Sequence, residues 1–124
     1  MLQQYEFSFK TVLYDVVPVS TIHEGMQKMD TAIHGKKQFD IILIDQEPVT
    51  FHTTKIVSHM RRSSLSTPIV VLSFSLDKEM LIQLMRSGCN DFLEKPVGFG
   101  ELYSRIEDAI QDFPFYVPAD ETDS

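Results

Sequence analysis

The chain has 124 residues, 43% of them apolar and 23% charged, which supports one globular domain and excludes wholesale disorder. Its net charge of −7 argues against direct nucleic-acid binding, since Lys and Arg dominate affinity for phosphate backbones and a basic cluster such as Arg61-Arg62 is too small to reverse that balance. Apolar runs such as Ile41-Ile42-Leu43-Ile44 are too short to span a bilayer, there is no secretory signal pattern, and the single Cys89 cannot form an internal disulfide, so a cytoplasmic protein is expected.

In chain order, residues 1–9 fit two patterns. Leu2, Tyr5 and Phe9 suit a helix face, whereas Tyr5, Phe7 and Phe9 suit a strand face. Thr11 to Val19 is β-branched and aliphatic enough for a strand, and Ser20 to Ile33 reads as a helix with Ile22, Met26, Met29 and Ile33 inward. Phe39 to Asp45 does not alternate polar and apolar residues, as in a parallel strand buried on both faces. Lys55 to Arg62 places Ile56, Val57 and Met60 on one helix face, and Thr67 to Ser73 is a second buried strand. Lys78 to Ser87 is a helix with Met80, Leu81, Leu84 and Met85 inward, stopped by Gly88. Asp91 to Glu94 is a short third strand. Leu102, Ile106, Ala109, Ile110 and Phe113 form the apolar stripe of a last amphipathic helix. Strands alternating with helical segments predict an α/β fold with a parallel sheet and helices on both faces. The domain is expected over residues 1–113, followed by an acidic tail over 114–124.

Ligands of such sheets gather beyond the carboxyl ends of the strands. There the candidate strands deliver Asp45, Ser73 and, one residue past Glu94, Lys95. A carboxylate, a hydroxyl and an ammonium suit phosphoryl transfer to a carboxylate: Asp45 the nucleophile, Ser73 and Lys95 binding oxygens of the transferred group.

The segment Ser87-Gly88-Cys89-Asn90-Asp91-Phe92-Leu93-Glu94-Lys95-Pro96-Val97 resembles the "GA-x-D-(Y/F)-L-x-KP" stretch of receiver domains in two-component response regulators. Phe39 to Asp45 is similar to the family's third strand and phosphoacceptor, and Thr67 to Ser73 to its fourth strand with a Ser/Thr end. The resemblance is nearly continuous from Asp40 to Phe113. It implies a flavodoxin-like receiver fold and phosphorylation of Asp45 by a histidine kinase or phosphotransfer protein. It also implies bonds from Ser73 and Lys95 to the phosphoryl oxygens, an aromatic switch at Phe92, and often a cis Lys95-Pro96 bond. A downstream protein partner would read the surface around the last strand and its flanking helices.

The N-terminal region departs from that pattern. Receivers open with a central strand ending in two adjacent acids that hold Mg²⁺, and no such pair precedes Asp45, so the first strand-helix unit is expected to be incomplete or rearranged. Residues 15–33 can be aligned with the family's second strand and helix. Alternatively Thr11-Val12-Leu13-Tyr14-Asp15-Val16-Val17-Pro18 takes the first-strand place, with Asp15 a lone metal carboxylate. A third arrangement completes the sheet by exchanging segments with a second copy, as a homodimer.

The loop after the acceptor reads Gln46-Glu47-Pro48-Val49, where the family favours Met-Pro. Glu47 lies where the family supplies a backbone carbonyl to the metal. Its side chain is expected either to be solvated or to reach the site, where Asp45 with Glu47 would just hold Mg²⁺. Two functions follow: a phosphorylated receiver that modifies itself without turning over a separate substrate, or a phosphorylation-independent module for protein interaction or dimerisation. No Gly-rich phosphate loop or nucleophile elbow supports an enzyme on this scaffold. The four His residues show no metal-ligand spacing, and Cys89 is expected to pack as a small apolar side chain.

Overall fold

The computed structural model describes residues 8, 14, 21–34, 39–63, 67–74 and 77–112. The elements alternate as expected: α1 (Ile22–His34), β1 (Ile42–Asp45), α2 (Phe51–Ser63), β2 (Ile69–Ser73), α3 (Lys78–Arg86), β3 (Asp91–Glu94) and α4 (Phe99–Asp112). The described strands form a parallel sheet in the order β1-β2-β3. Strand alternation sends neighbouring β2 side chains to opposite faces. Ile69 and Val71 join Met29 of α1, Ile56, Val57 and Met60 of α2 and Leu84 of α3 in one core. Val70 and Leu72 join Leu93, Leu102 and Ile106 on the other face, under α4. Helices therefore cover both faces, and every residue of β2 is buried.

Several boundaries differ from the periodicity for local reasons. The ladder begins at Ile42 and Ile69 rather than at Phe39 and Thr67, because Pro68 has no N–H to donate; its carbonyl instead accepts from the Ile42 amide at 2.9 Å. Helix α2 starts at Phe51, a turn earlier than Lys55. The Thr50 hydroxyl accepts from the His52 amide at 3.2 Å, and the Thr53 hydroxyl accepts from the Thr50 amide at 3.1 Å. This reciprocal cap puts Thr53 where Glu or Gln usually serves. Asp77 caps α3 by accepting from the Met80 amide.

Met85, expected on the buried face of α3, is exposed, while Leu84 is fully buried. The inward stripe is narrower than the apolar residues of the helix suggest. Cys89 packs in the core as expected, and His23, His52 and His59 face solvent. The Thr11–Val19 strand, the assignment of residues 1–9, Asp15, Phe113 and the tail over 114–124 lie outside the described residues. No described helix is long and apolar enough to cross a membrane.

The turn into β3 is organised by Arg61, which is buried although it belongs to the expected basic cluster; only Arg62 of that pair is exposed. Its guanidinium donates to Gly88 O from both Nε and Nη2, at 3.1 and 2.9 Å. It also donates to Thr67 O at 2.7 Å and to Asn90 Oδ1 at 2.6 Å. Asn90 Oδ1 also accepts from the Ile69 amide at 2.7 Å, so one charged fork ties α2 to the starts of β2 and β3. Gly88 has φ +117°, and a Cβ there would stand 2.8 Å from Arg61 Cγ. Both the backbone conformation and the close approach require glycine.

Candidate functional site

The register places the acceptor end of the sheet. Asp45 pairs with Leu72, and Ser73 with Glu94. One further bond, from the Lys95 amide to Ser73 O at 2.8 Å, holds Lys95 in line past the end of β3. Its side chain crosses back over the strand ends, and Nζ lies 2.6 Å from Asp45 Oδ1. Ser73 is fully buried, and the side chains of Lys95 and Asp45 are 3% and 4% exposed. Asp45, Ser73 and Lys95 thus share one enclosed pocket, and the Lys95-Pro96 bond is cis.

Ser73 is joined to Lys95 through Glu47. Its Oε2 accepts from Ser73 Oγ at 3.0 Å, and its Oε1 accepts from the Phe74 amide at 2.8 Å and pairs with Lys95 Nζ at 2.9 Å. Its side chain, 32% exposed, forms the outer layer of the site above Asp45. Of the two places expected for Glu47, its side chain takes the one at the site: three donors hold its carboxylate, because the turn after β1 aims it across the ends of β2 and β3. Burial pushes its pKa up, but the bonds from Lys95, Ser73 and the Phe74 amide outweigh this and hold it below the ordinary carboxylate value. Burial likewise pushes Lys95 down, while its bonds to Asp45 and Glu47 prevail and hold it above the ordinary lysine value.

Phe74 enters the site unannounced by the sequence. Its amide donates to Glu47, and its ring, 52% exposed, lies with its centroid 4.5 Å from Lys95 Nζ. That geometry adds a cation–π contact to the lysine. No spacing rule marks a residue just past a strand end for either role. Phe92 is partly buried against the larger core cluster. Beside it, Asp91 receives a two-point bond from Arg105 of α4, at 2.8 and 2.7 Å.

Asp45 Oδ2 is buried and has no hydrogen-bond partner among the described residues. Of the carboxylate oxygens described in the pocket, it alone is not committed to a donor. Among the described residues no group of three or more His, Cys, Asp or Glu side chains converges on a metal-sized site. Magnesium keeps several waters and is bound through one or two carboxylates, so Asp45 Oδ2, with the Glu47 carboxylate on the same lysine, would supply the protein oxygens of such a site.

A parallel α/β domain with its polar groups at the carboxyl ends of three strands belongs to the doubly wound class. Comparison with known proteins narrows this. The sequence matches the response regulator receiver domain family over residues 2–107, and the chain belongs to that family. The match takes in the N-terminal region as well as the stretch carrying the motifs. Among curated relatives, the transcriptional regulatory protein CutR of Streptomyces coelicolor is 21% identical over 92 residues, covering 74% of this chain and 42% of CutR. Transcription factor SKN7 of Candida albicans is 23% identical over 94 residues, covering 76% of this chain and 16% of its own length. The chain therefore spans less than half of these relatives.

The CheY-like receiver domain protein of Methanospirillum hungatei superposes with a TM-score of 0.78 at 16% identity, covering 91% of this chain and 86% of the other. The receiver domain of the sensor histidine kinase PA1611 of Pseudomonas aeruginosa, which carries a magnesium ion in its active-site cleft, gives 0.66 at 20% identity, covering 88% and 87%. Receiver domains work with histidine kinases or phosphotransfer proteins.

Proposed function

We propose that this receiver domain accepts a phosphoryl group on Asp45 from a phosphohistidine of a histidine kinase or phosphotransfer protein. It then signals to a downstream protein partner through a conformational change. The carrying observation is the 2.6 Å approach of Lys95 Nζ to Asp45 Oδ1 in a pocket that also holds Ser73. An Asp45 oxygen attacks phosphorus, and the phosphorus–nitrogen bond of the donor breaks. Its electron pair returns to the imidazole, and an acyl phosphate forms. Lys95 and Ser73 then bind oxygens of the transferred group and offset its charge. Phe92, at the edge of the core, is the aromatic that changes rotamer in response.

The chain modifies itself and turns over no separate substrate, and it acts in the cytoplasm. Its relatives are receivers and regulators, which does not favour the phosphorylation-independent alternative.

Incubation with a small acyl phosphate or with beryllofluoride in magnesium-containing buffer, followed by intact mass and ¹⁹F NMR, tests this reading. Modification is expected in the wild type and absent in Asp45→Asn. A folded wild type that takes up neither reagent rejects it.

A further inference from the structure

The two donors assigned to a phosphoryl group on Asp45, and a third beside them, are already occupied. The Ser73 hydroxyl, the Phe74 amide and the Lys95 ammonium all converge on the carboxylate of Glu47, at 3.0, 2.8 and 2.9 Å. Glu47 is only two residues past Asp45, yet its carboxylate meets these groups from the solvent side, and Asp45 lies enclosed beneath it. We propose that Glu47 is a resident anion in the phosphoryl seat: an internal, displaceable competitor that must release Ser73, Phe74 and Lys95 before Asp45 can hold a phosphoryl group.

Charge makes the two occupants mutually exclusive. With Asp45 and Glu47 ionised, the pocket holds two carboxylates against the single ammonium of Lys95. Phosphorylation replaces the single charge of Asp45 with the roughly −1.5 to −2 of a phosphoryl group, and crowding that charge beside Glu47 around one cation disfavours both anions. The same three donors cannot serve both anions.

This inference rests on the proposed role of Asp45, and its test separates the two. Beryllofluoride affinity is measured by ¹⁹F NMR in the same magnesium-containing buffer for wild type, Glu47→Ala and Glu47→Gln, with the Phe74 amide followed in parallel. Folding is checked by circular dichroism, and the near-isosteric Glu47→Gln serves if Glu47→Ala does not fold. Removing one charged competitor should tighten beryllofluoride binding about tenfold or more, the effect of a charge-assisted hydrogen bond. The Phe74 amide should move before any reagent is added. Equal or weaker binding by the folded variants overturns the proposal.

If no protein takes up beryllofluoride, the acceptor reading fails, and titration with inorganic phosphate decides the seat. A Phe74 amide that responds to phosphate in the variants but not in the wild type supports occupancy by Glu47. A Phe74 amide that responds in none of them overturns it.

Discussion

Lys95 Nζ and Asp45 Oδ1 stand 2.6 Å apart, and neither side chain exposes more than 4% of its surface. They lie 50 residues apart in sequence, and the meeting depends on two parallel ladders in register. A buried charge left without its partner costs far more than the intact pair contributes. Lys95→Met should therefore lower unfolding free energy by about 3–5 kcal/mol, read by urea denaturation. Pairing it with Asp45→Asn should recover part of the loss, because that variant removes the orphaned charge. A Lys95→Met protein as stable as wild type would show that the pair is not enclosed.

Gly88 and Arg61 form a second dependence. A methyl group at position 88 meets Arg61 Cγ at 2.8 Å on a backbone at φ +117°. Gly88→Ala should destabilise by about 2 kcal/mol or more, since positive-φ strain and displacement of a buried guanidinium add. Arg61→Met should do likewise by leaving Gly88 O and Thr67 O without their donor. The double variant should fall short of the sum in a denaturation cycle, because both act on one contact.

The site sets a pH window. The Glu47 pKa is held below its ordinary value, so the stability it contributes is present above the ordinary carboxylate range and is lost as pH falls through the lowered value. The Lys95 pKa is held above its ordinary value, so its contribution is complete below the ordinary lysine range and is lost as pH rises through the raised value. The Tm should peak between these limits, and Glu47→Gln should flatten the acid limb specifically. An unchanged acid limb in that variant would contradict the assignment.

Cys89 should be chemically silent. Burial pushes its thiol from 9.0 up to about 12, and the side chain is enclosed in the core. The thiolate is the reacting species, so a disulfide reagent at mildly alkaline pH should label the folded protein far more slowly than the protein in urea. Rapid labelling of the native state would place the thiol at the surface.

Much of the site is legible in the amino-acid order alone. The continuous apolar runs ending at Asp45 and Ser73, and the strand ending just before Lys95, mark three neighbouring strand ends. Met85 shows where local patterns stop, since residue type points it inward and packing leaves it exposed; for Glu47 residue type leaves two places open, and the donors of the pocket decide between them. Arg61 reads as half of a basic surface pair, yet neighbouring backbone carbonyls draw it inside.

By itself, then, the chain determined its alternation of strands and helices, its core stripes and the residues delivered to the pocket, because periodicity and strand ends are written locally. Only the tertiary structure decided that Glu47 takes the hydroxyl, the amide and the ammonium for its own carboxylate. Those donors come from two other strand ends, and hydrogen bonding depends on tenths of an ångström between segments that no sequence interval encodes.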